Sequence, residues 1–435
     1  MKISHTERVI SPEIGACLAG YGSHDVSVAK YDDLYLSALA LDDGKKKAVI
    51  LGYDLLGIQD EWIRLIRTKV AEIFGGTQAD CILSCTHTHT GPHSRILPRA
   101  PESFREDYMH NLLEITLDAV RELFSKEFIE TDVSFFSGSC DQNLNRRYVG
   151  PENRCSFLPR RRDLEPIADG ICDKEMGGLC FRRKDDTEYL EYVIGNFSAH
   201  PLAGHSLGIG ARRISADFPG AFRRYIKRET GAGCMYLSGA AGDTVPRGHE
   251  TGTAAIEEVG KKLGTSAISS MLNSRRIPAN YKLTNETIQT GIKTSTYRVR
   301  PHMKKDLTGE LVGKDTVELE VQLLSIGDVC LIGVPGEMVN ELGLEMKWHS
   351  PFRKTFVLYC STSYISYICH GNALVSGGYE ADCQIPDSRA GLQLVNTAID
   401  CAYELYELTF PDPAQWPQNN RACNVSIANI DAVSK

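Results

Sequence analysis

The 435 residues carry a formal net charge of −8 and a pI near 5.9, with 42% hydrophobic and 24% charged residues. That is the make-up of a globular chain long enough to bury a large core. The acidic balance, without a long basic stripe, speaks against a nucleic-acid partner. No apolar run approaches the roughly 18–20 residues of a membrane span, and MKISHTERVISPEIG lacks the apolar core of a secretory signal. A cytoplasmic protein without membrane insertion is therefore expected, its 14 scattered cysteines reduced and without a CxxC pair.

In chain order, Asp42-Asp43-Gly44-Lys45 reads as a hairpin tip leading into a strand over 48–54. Residues 60–74 (DEWIRLIRTKVAEIF) place Trp62, Ile63, Ile66, Val70 and Ile73 at helical spacing, and Gly75-Gly76 stops that helix. A second strand over 81–84 runs into Cys85-Thr86-His87-Thr88-His89-Thr90-Gly91-Pro92-His93. A strand over 133–136 leads towards Asn145-Arg146-Arg147, and 150–186 reads as loop-rich. The basic run at Arg160, Arg161 and Arg162 is a solvated loop or a contact for an anionic substrate. The strand–helix–strand pattern recurs at 192–197, 218–228 and 234–238, and again at 329–334, 339–348 and 355–360. Between them, 280–330 alternates polar and apolar residues, as antiparallel strands do. This alternation predicts an α/β protein. Its strand ends bring Asp54, His87, His200, Asp243 and Glu337 together, where open α/β sheets place ligands.

Three of the 12 histidines fall between positions 87 and 93. On a strand, alternate side chains share a face, so His87 and His89 would point the same way and begin a metal site suited to zinc. The other reading is a polar strand end with solvated imidazoles. His200, in NFSAHPLAGHS, is a ligand or a hydrogen-bonded histidine, and His205 is the weaker candidate. Glu337, in GVPGEMV, is a ligand or a carboxylate favoured by a helix N-terminus. Arg146 offers a guanidinium for an oxyanion, or half of a surface charge pair. Tyr379, in GGYE, faces a metal or packs. Asp243, in the small-residue turn LSGAAGDTVPR, is a carboxylate able to orient a ligand. The HExxH pattern of the familiar zinc proteases is absent.

VISPEIGACLAGYG, YDLLGI, SCTHTHTGPHS, NLNRR, NFSAHP, DFPGAF, LSGAAGDTVPR, GVPGEM and GGYE follow one another in this order. Together they resemble the catalytic domain of the neutral/alkaline non-lysosomal ceramidase family over most of the chain. The resemblance implies a layered α/β/β/α catalytic domain over 1–410, followed by a C-terminal tail over 411–435. It implies a zinc enzyme in which His87, His200, Glu337 and Tyr379 bind the metal, His89 is general base and acid, and Arg146 helps to bind the oxyanion. The sequence departs from that family in three ways. It shows no secretion signal, it ends soon after the catalytic domain, and ADCQIPDSRAGLQLV after the GGYE motif offers no second tyrosine. The expectation is a zinc-dependent hydrolase cleaving an amide (N-acyl) bond of a small polar substrate. The alternatives are the same metal site acting on an ester, a lactone or a carbohydrate derivative by hydrolysis or elimination, and a non-catalytic metal-stabilised binding protein.

Overall fold

The computed structural model describes residues 1–20, 25–98, 100–149, 155–157, 170–204, 212–276 and 282–412. The basic run at Arg160, Arg161 and Arg162, His205, and the tail beyond Asp412 lie outside the described residues. Eight strands form a mixed sheet: β1 (Lys2–Val9), β2 (Tyr35–Asp42), β3 (Lys47–Tyr53), β4 (Cys81–Cys85), β5 (Ile129–Ser139), β6 (Glu175–Arg183), β7 (Leu190–Phe197) and β8 (Gly233–Ser238). Their spatial order is β8-β7-β6-β5-β1-β2-β3-β4. A second sheet of four strands runs β9 (Ile288–Arg298), β10 (Thr316–Ile326), β11 (Val329–Gly333) and β12 (Lys354–Leu358).

The two sheets face each other. Leu41, Ile50, Ile82, Leu179, Ile194 and Met235 of the larger sheet share one buried apolar cluster with Leu324, Ile326, Leu331, Phe356 and Leu358 of the smaller. Helices cover both outer faces. On the larger sheet lie α1 (Asp60–Phe74), α2 (Glu106–Ser125), α3 (Asp217–Thr230) and α4 (Thr253–Arg276). On the smaller sheet lie α5 (Asn340–His349) and α6 (Ala390–Thr409). The layering is α/β/β/α. Each sheet buries both faces, which is why so many strands read as continuous apolar runs rather than as alternations.

Three strand–helix–strand units have parallel strands: β3 and β4 around α1, β7 and β8 around α3, β11 and β12 around α5. The first helix matches its expected bounds. Ile63, Ile66 and Val70 are buried, and Gly75 ends the helix in the left-handed region at φ 72°. The loop-rich reading of 150–186 is corrected in its last part, since Glu175–Arg183 is an inner strand paired on both sides. Its sequence EMGGLCFRR breaks the apolar run with two glycines, and that break hides the strand.

Asp54 also departs from expectation. It follows β3, as predicted, but turns to a buried ion pair with Arg223 on α3 and accepts the Tyr35 backbone N–H at 2.8 Å. Two strong donors hold the carboxylate at the helix–sheet contact, so it belongs to the packing of α3 and not to the site.

A half-buried charge cluster joins the two sheets. Glu175 at the start of β6 pairs with Lys354 of β12 and with Lys347 of α5 at 3.0 Å, and Lys347 also reaches Asp173. Burial opposes ionisation of Glu175, but the two ammonium groups outweigh it and bring its pKa down to about 2. A carboxyl depressed on folding adds stability above its unfolded value near 4.5 and loses it as the pH falls towards 2. That contribution is at most about 3 kcal/mol, at roughly 1.4 kcal/mol per pH unit. Glu175→Gln is therefore expected to lower the melting temperature at pH 7 and to flatten its decline between pH 5 and pH 3. Parallel melting curves for both proteins across that range would refute the assignment.

Candidate metal centre

The ends of β4, β7 and β11 meet because the larger sheet curls until its edges approach. Ser238 at the end of β8 donates to the Thr86 carbonyl beyond β4 at 2.7 Å, and Ser84 of β4 donates to the Tyr359 carbonyl beyond β12 at 2.9 Å. His87, His200 and Glu337, each from a different unit, are thereby brought together.

The two histidines of the run converge, but not through strand alternation. β4 ends at Cys85, and His87 adopts a left-handed backbone at φ 69°. That turn directs its ring inward, 5.0 Å between centroids from His89 and 4.9 Å from His200. One ring nitrogen from each of His87, His89 and His200 lies within 4.8 Å of the others. His87 and His200 are buried, while His89 is partly open.

Each imidazole is oriented from behind. The Nδ1 of His87 meets the Leu56 carbonyl at 2.6 Å, that of His200 the Ala241 carbonyl at 2.6 Å, and that of His89 the Gly20 carbonyl at 3.2 Å. Carbonyls only accept, so the protons sit on Nδ1 and the Nε2 lone pairs turn to the centre. Gly20 is required by this approach, because a Cβ there would lie 2.1 Å from the Cβ of His89.

Glu337 completes the cluster. Its Oε2 lies 3.3 Å from His200 Nε2 and 3.5 Å from His87 Nε2. Tyr359 donates to Oε2 at 3.1 Å and Tyr364 to Oε1, so both oxygens are fixed. The turn before it uses Gly336 at φ 85°, where a Cβ would meet the Ser366 carbonyl at 2.4 Å. Burial first, then Arg146, pushes His200 down to about 4. Burial, then His87 and His200, pushes His89 well below its usual value. Imidazole nitrogens converging beside a carboxylate are the donor set a cation needs, and the histidine cluster can hold a metal ion.

Arg146 is buried beside the centre. Its Nε donates to Glu380 at 2.7 Å, and its Nη2 to the Gly242 carbonyl and the Tyr367 hydroxyl, both at 2.9 Å. It is not the exposed partner of a surface charge pair. Arg147 holds the other oxygen of Glu380 at 2.8 Å. Asp243 stands one layer back, accepting from the Asn340 backbone at 2.7 Å and from Asn145 at 2.8 Å. Tyr379 lies farther out and is half-exposed, its ring 5.4 Å from Tyr367 and 5.8 Å from the Arg146 guanidinium carbon. Burial and the charge of Glu337 raise its pKa to about 12. His93 lines a separate cavity of ≈ 550 Å³ against the N-terminal segment.

Sequence reasoning misses Tyr359, Tyr364, Tyr367 and Glu380. Only Glu380 carried a signal, as the last residue of GGYE. It also passes over GHSLG at 204–208, which has the Gly-x-Ser-x-Gly spacing of a nucleophile elbow. Gly204 lies well beyond the end of β7 at Phe197 rather than on a strand-to-helix turn, and 205–208 lie outside the described residues.

No protein-family model matches the chain. No curated protein matches it in sequence. Solved structures do match. The crystal structure of neutral ceramidase from Pseudomonas aeruginosa superposes with a TM-score of 0.75 at 15% identity, over 95% of this chain and 75% of that one. A ceramidase complexed with C2 superposes with a TM-score of 0.74 at 14% identity, over 95% of this chain and 76% of that one. The chain has the ceramidase fold.

Proposed function

We propose that the protein is a zinc-dependent amidohydrolase that cleaves the amide (N-acyl) bond of a small polar substrate, within a catalytic domain spanning 1–410. One observation carries the reading most. Three imidazoles, each turned by a backbone carbonyl behind it, converge with a carboxylate fixed by two tyrosines, and they do so on the fold of an amide-cleaving enzyme. His87, His200 and Glu337 hold the metal. A zinc ion in this place would supply Lewis acidity and bring the pKa of a water near 7.

The rest of the chemistry belongs to the chain. His89, the partly open imidazole of the three, takes the proton of the attacking water at Nε2 and returns it to the leaving nitrogen. Its Nδ1 stays on the Gly20 carbonyl, which keeps the ring in the accepting tautomer. Arg146, held charged by Tyr367 and Glu380 against the opposing effect of burial, balances negative charge on the carbonyl oxygen.

The fourth ligand is a tyrosine. The family resemblance favours Tyr379, and of the two tyrosines that donate to Glu337, Tyr359 and Tyr364, the second also lines an open cleft and is the rival candidate. Zinc content decides between them. The Phe variant of the true ligand is expected to bind zinc at least tenfold more weakly, and the other to stay near the parent. Equal zinc affinity in Tyr364→Phe, Tyr379→Phe and the parent would remove tyrosine from the ligand set. The function itself is tested by screening N-acyl and ester substrates before and after chelation. Turnover that is lost with the metal and restored by zinc supports the reading, and turnover indifferent to chelation ends it.

A further inference from the structure

A cleft of ≈ 640 Å³ opens beside the centre, with Tyr364 and Tyr379 on its wall. Much of the rest is apolar: Leu97, Met303, Leu307 and Ile385 contribute. The 3-10 turns Pro301–Asp306 and Gly309–Leu311, inserted between β9 and β10, form one side. Such a space suits an acyl chain or another compact apolar group.

The wall also carries charged side chains, Lys305, Asp306 and Asp382 among them, and one of these polar residues lies close to the centre. Arg95, just after the histidine run, lies in this wall with its guanidinium carbon 3.9 Å from the centroid of the Tyr364 ring. Its Nε is buried without a hydrogen-bond partner. Among the described residues no carboxylate pairs with it, the two acids of the same wall, Asp306 and Asp382, included. Arg95 is half-buried, and it differs from the buried Arg146, Arg147 and Arg223, each of which holds a carboxylate. A guanidinium over an aromatic face can turn its Nη edge to a planar, two-oxygen acceptor. The same tyrosine ring that Arg95 covers donates its hydroxyl to Glu337, so a single side chain separates the cation from the metal-binding carboxylate.

We infer that Arg95 anchors a carboxylate of the substrate, and that the centre acts on N-acyl compounds carrying a free acid close to the scissile amide, such as N-acyl amino acids. The inference rests on the amidohydrolase reading for the bond that is cleaved, but the anion site stands on Arg95 and the cleft.

The probes are N-octanoylglycine and N-octanoylglycinamide, alike except for the terminal carboxylate. The parent protein is expected to favour the acid by tenfold to a hundredfold in kcat/KM, the usual range for a charge-assisted hydrogen bond. Arg95→Met should bring that ratio near one, and Arg95→Lys should keep part of it. Hydrolysis of both probes at equal kcat/KM by the parent overturns the anion site and leaves the amidohydrolase reading standing. Where neither probe is hydrolysed, calorimetry decides. Tenfold tighter binding of the acid, lost in Arg95→Met, supports the site without the activity, and equal affinities overturn it.

Discussion

A His200→Ala protein, and equally a His87→Ala protein, is expected to leave purification with less than about a tenth of the parent's zinc and to lose at least about a thousandfold in kcat/KM. The two side chains reach Glu337 Oε2 at 3.3 and 3.5 Å from different strand–helix–strand units, so losing either leaves the carboxylate with only one of these two imidazoles. Alanine also leaves the carbonyls of Leu56 or Ala241 without their imidazole donor in a buried place. Some loss of stability therefore accompanies the loss of metal. Zinc analysis together with melting curves separates the two effects, since a folded variant without zinc is the expected product. A folded variant with stoichiometric zinc and full activity would refute the ligand assignment.

His89→Ala is expected to behave differently. It should keep zinc near the parent's stoichiometry while kcat falls by 10²–10⁴, the usual worth of a positioned acid–base group. The distinction matters because the three imidazoles are within ligand distance of one another, and their distances alone admit a three-histidine site. What separates His87 and His200 is that their Nε2 atoms both face Glu337 Oε2, at 3.5 and 3.3 Å, while the His89 residue is the one partly open to the outside. The base is needed where the substrate arrives. Loss of zinc from His89→Ala, measured as for His200→Ala, would make it a ligand and leave the proton to another group.

The parts of the fold legible in the sequence are those where local pattern and tertiary role agree. Asp60–Phe74 is amphipathic and ends at two glycines, and the strands before and after it are apolar runs buried on both faces. Glu175–Arg183 is a central strand whose paired glycines look like a loop. The site divides in the same way. His87, His89, His200, Glu337 and Arg146 follow strands in polar, turn-forming contexts that stand out. Tyr359 and Tyr364 do not, because a tyrosine just after an apolar strand, or in the polar loop beyond it, looks like packing until the carboxylate it meets is known. The Glu380 link to Arg146 and Arg147 joins residues more than two hundred positions apart, and only folding puts them together. Even where the expected outcome holds, the cause can differ. His87 and His89 share a centre because the chain turns at His87, not because they alternate along a strand.

That turn has a consequence for how the protein can change over time. A histidine held at φ 69° costs on the order of 1 kcal/mol relative to glycine, which takes that backbone freely. Glycine there would relieve the strain but would empty a buried place and leave the Leu56 carbonyl without its donor, so the strained histidine is kept where the ring has work to do at its other nitrogen. Among related chains, histidine at this turn should accompany an intact centre.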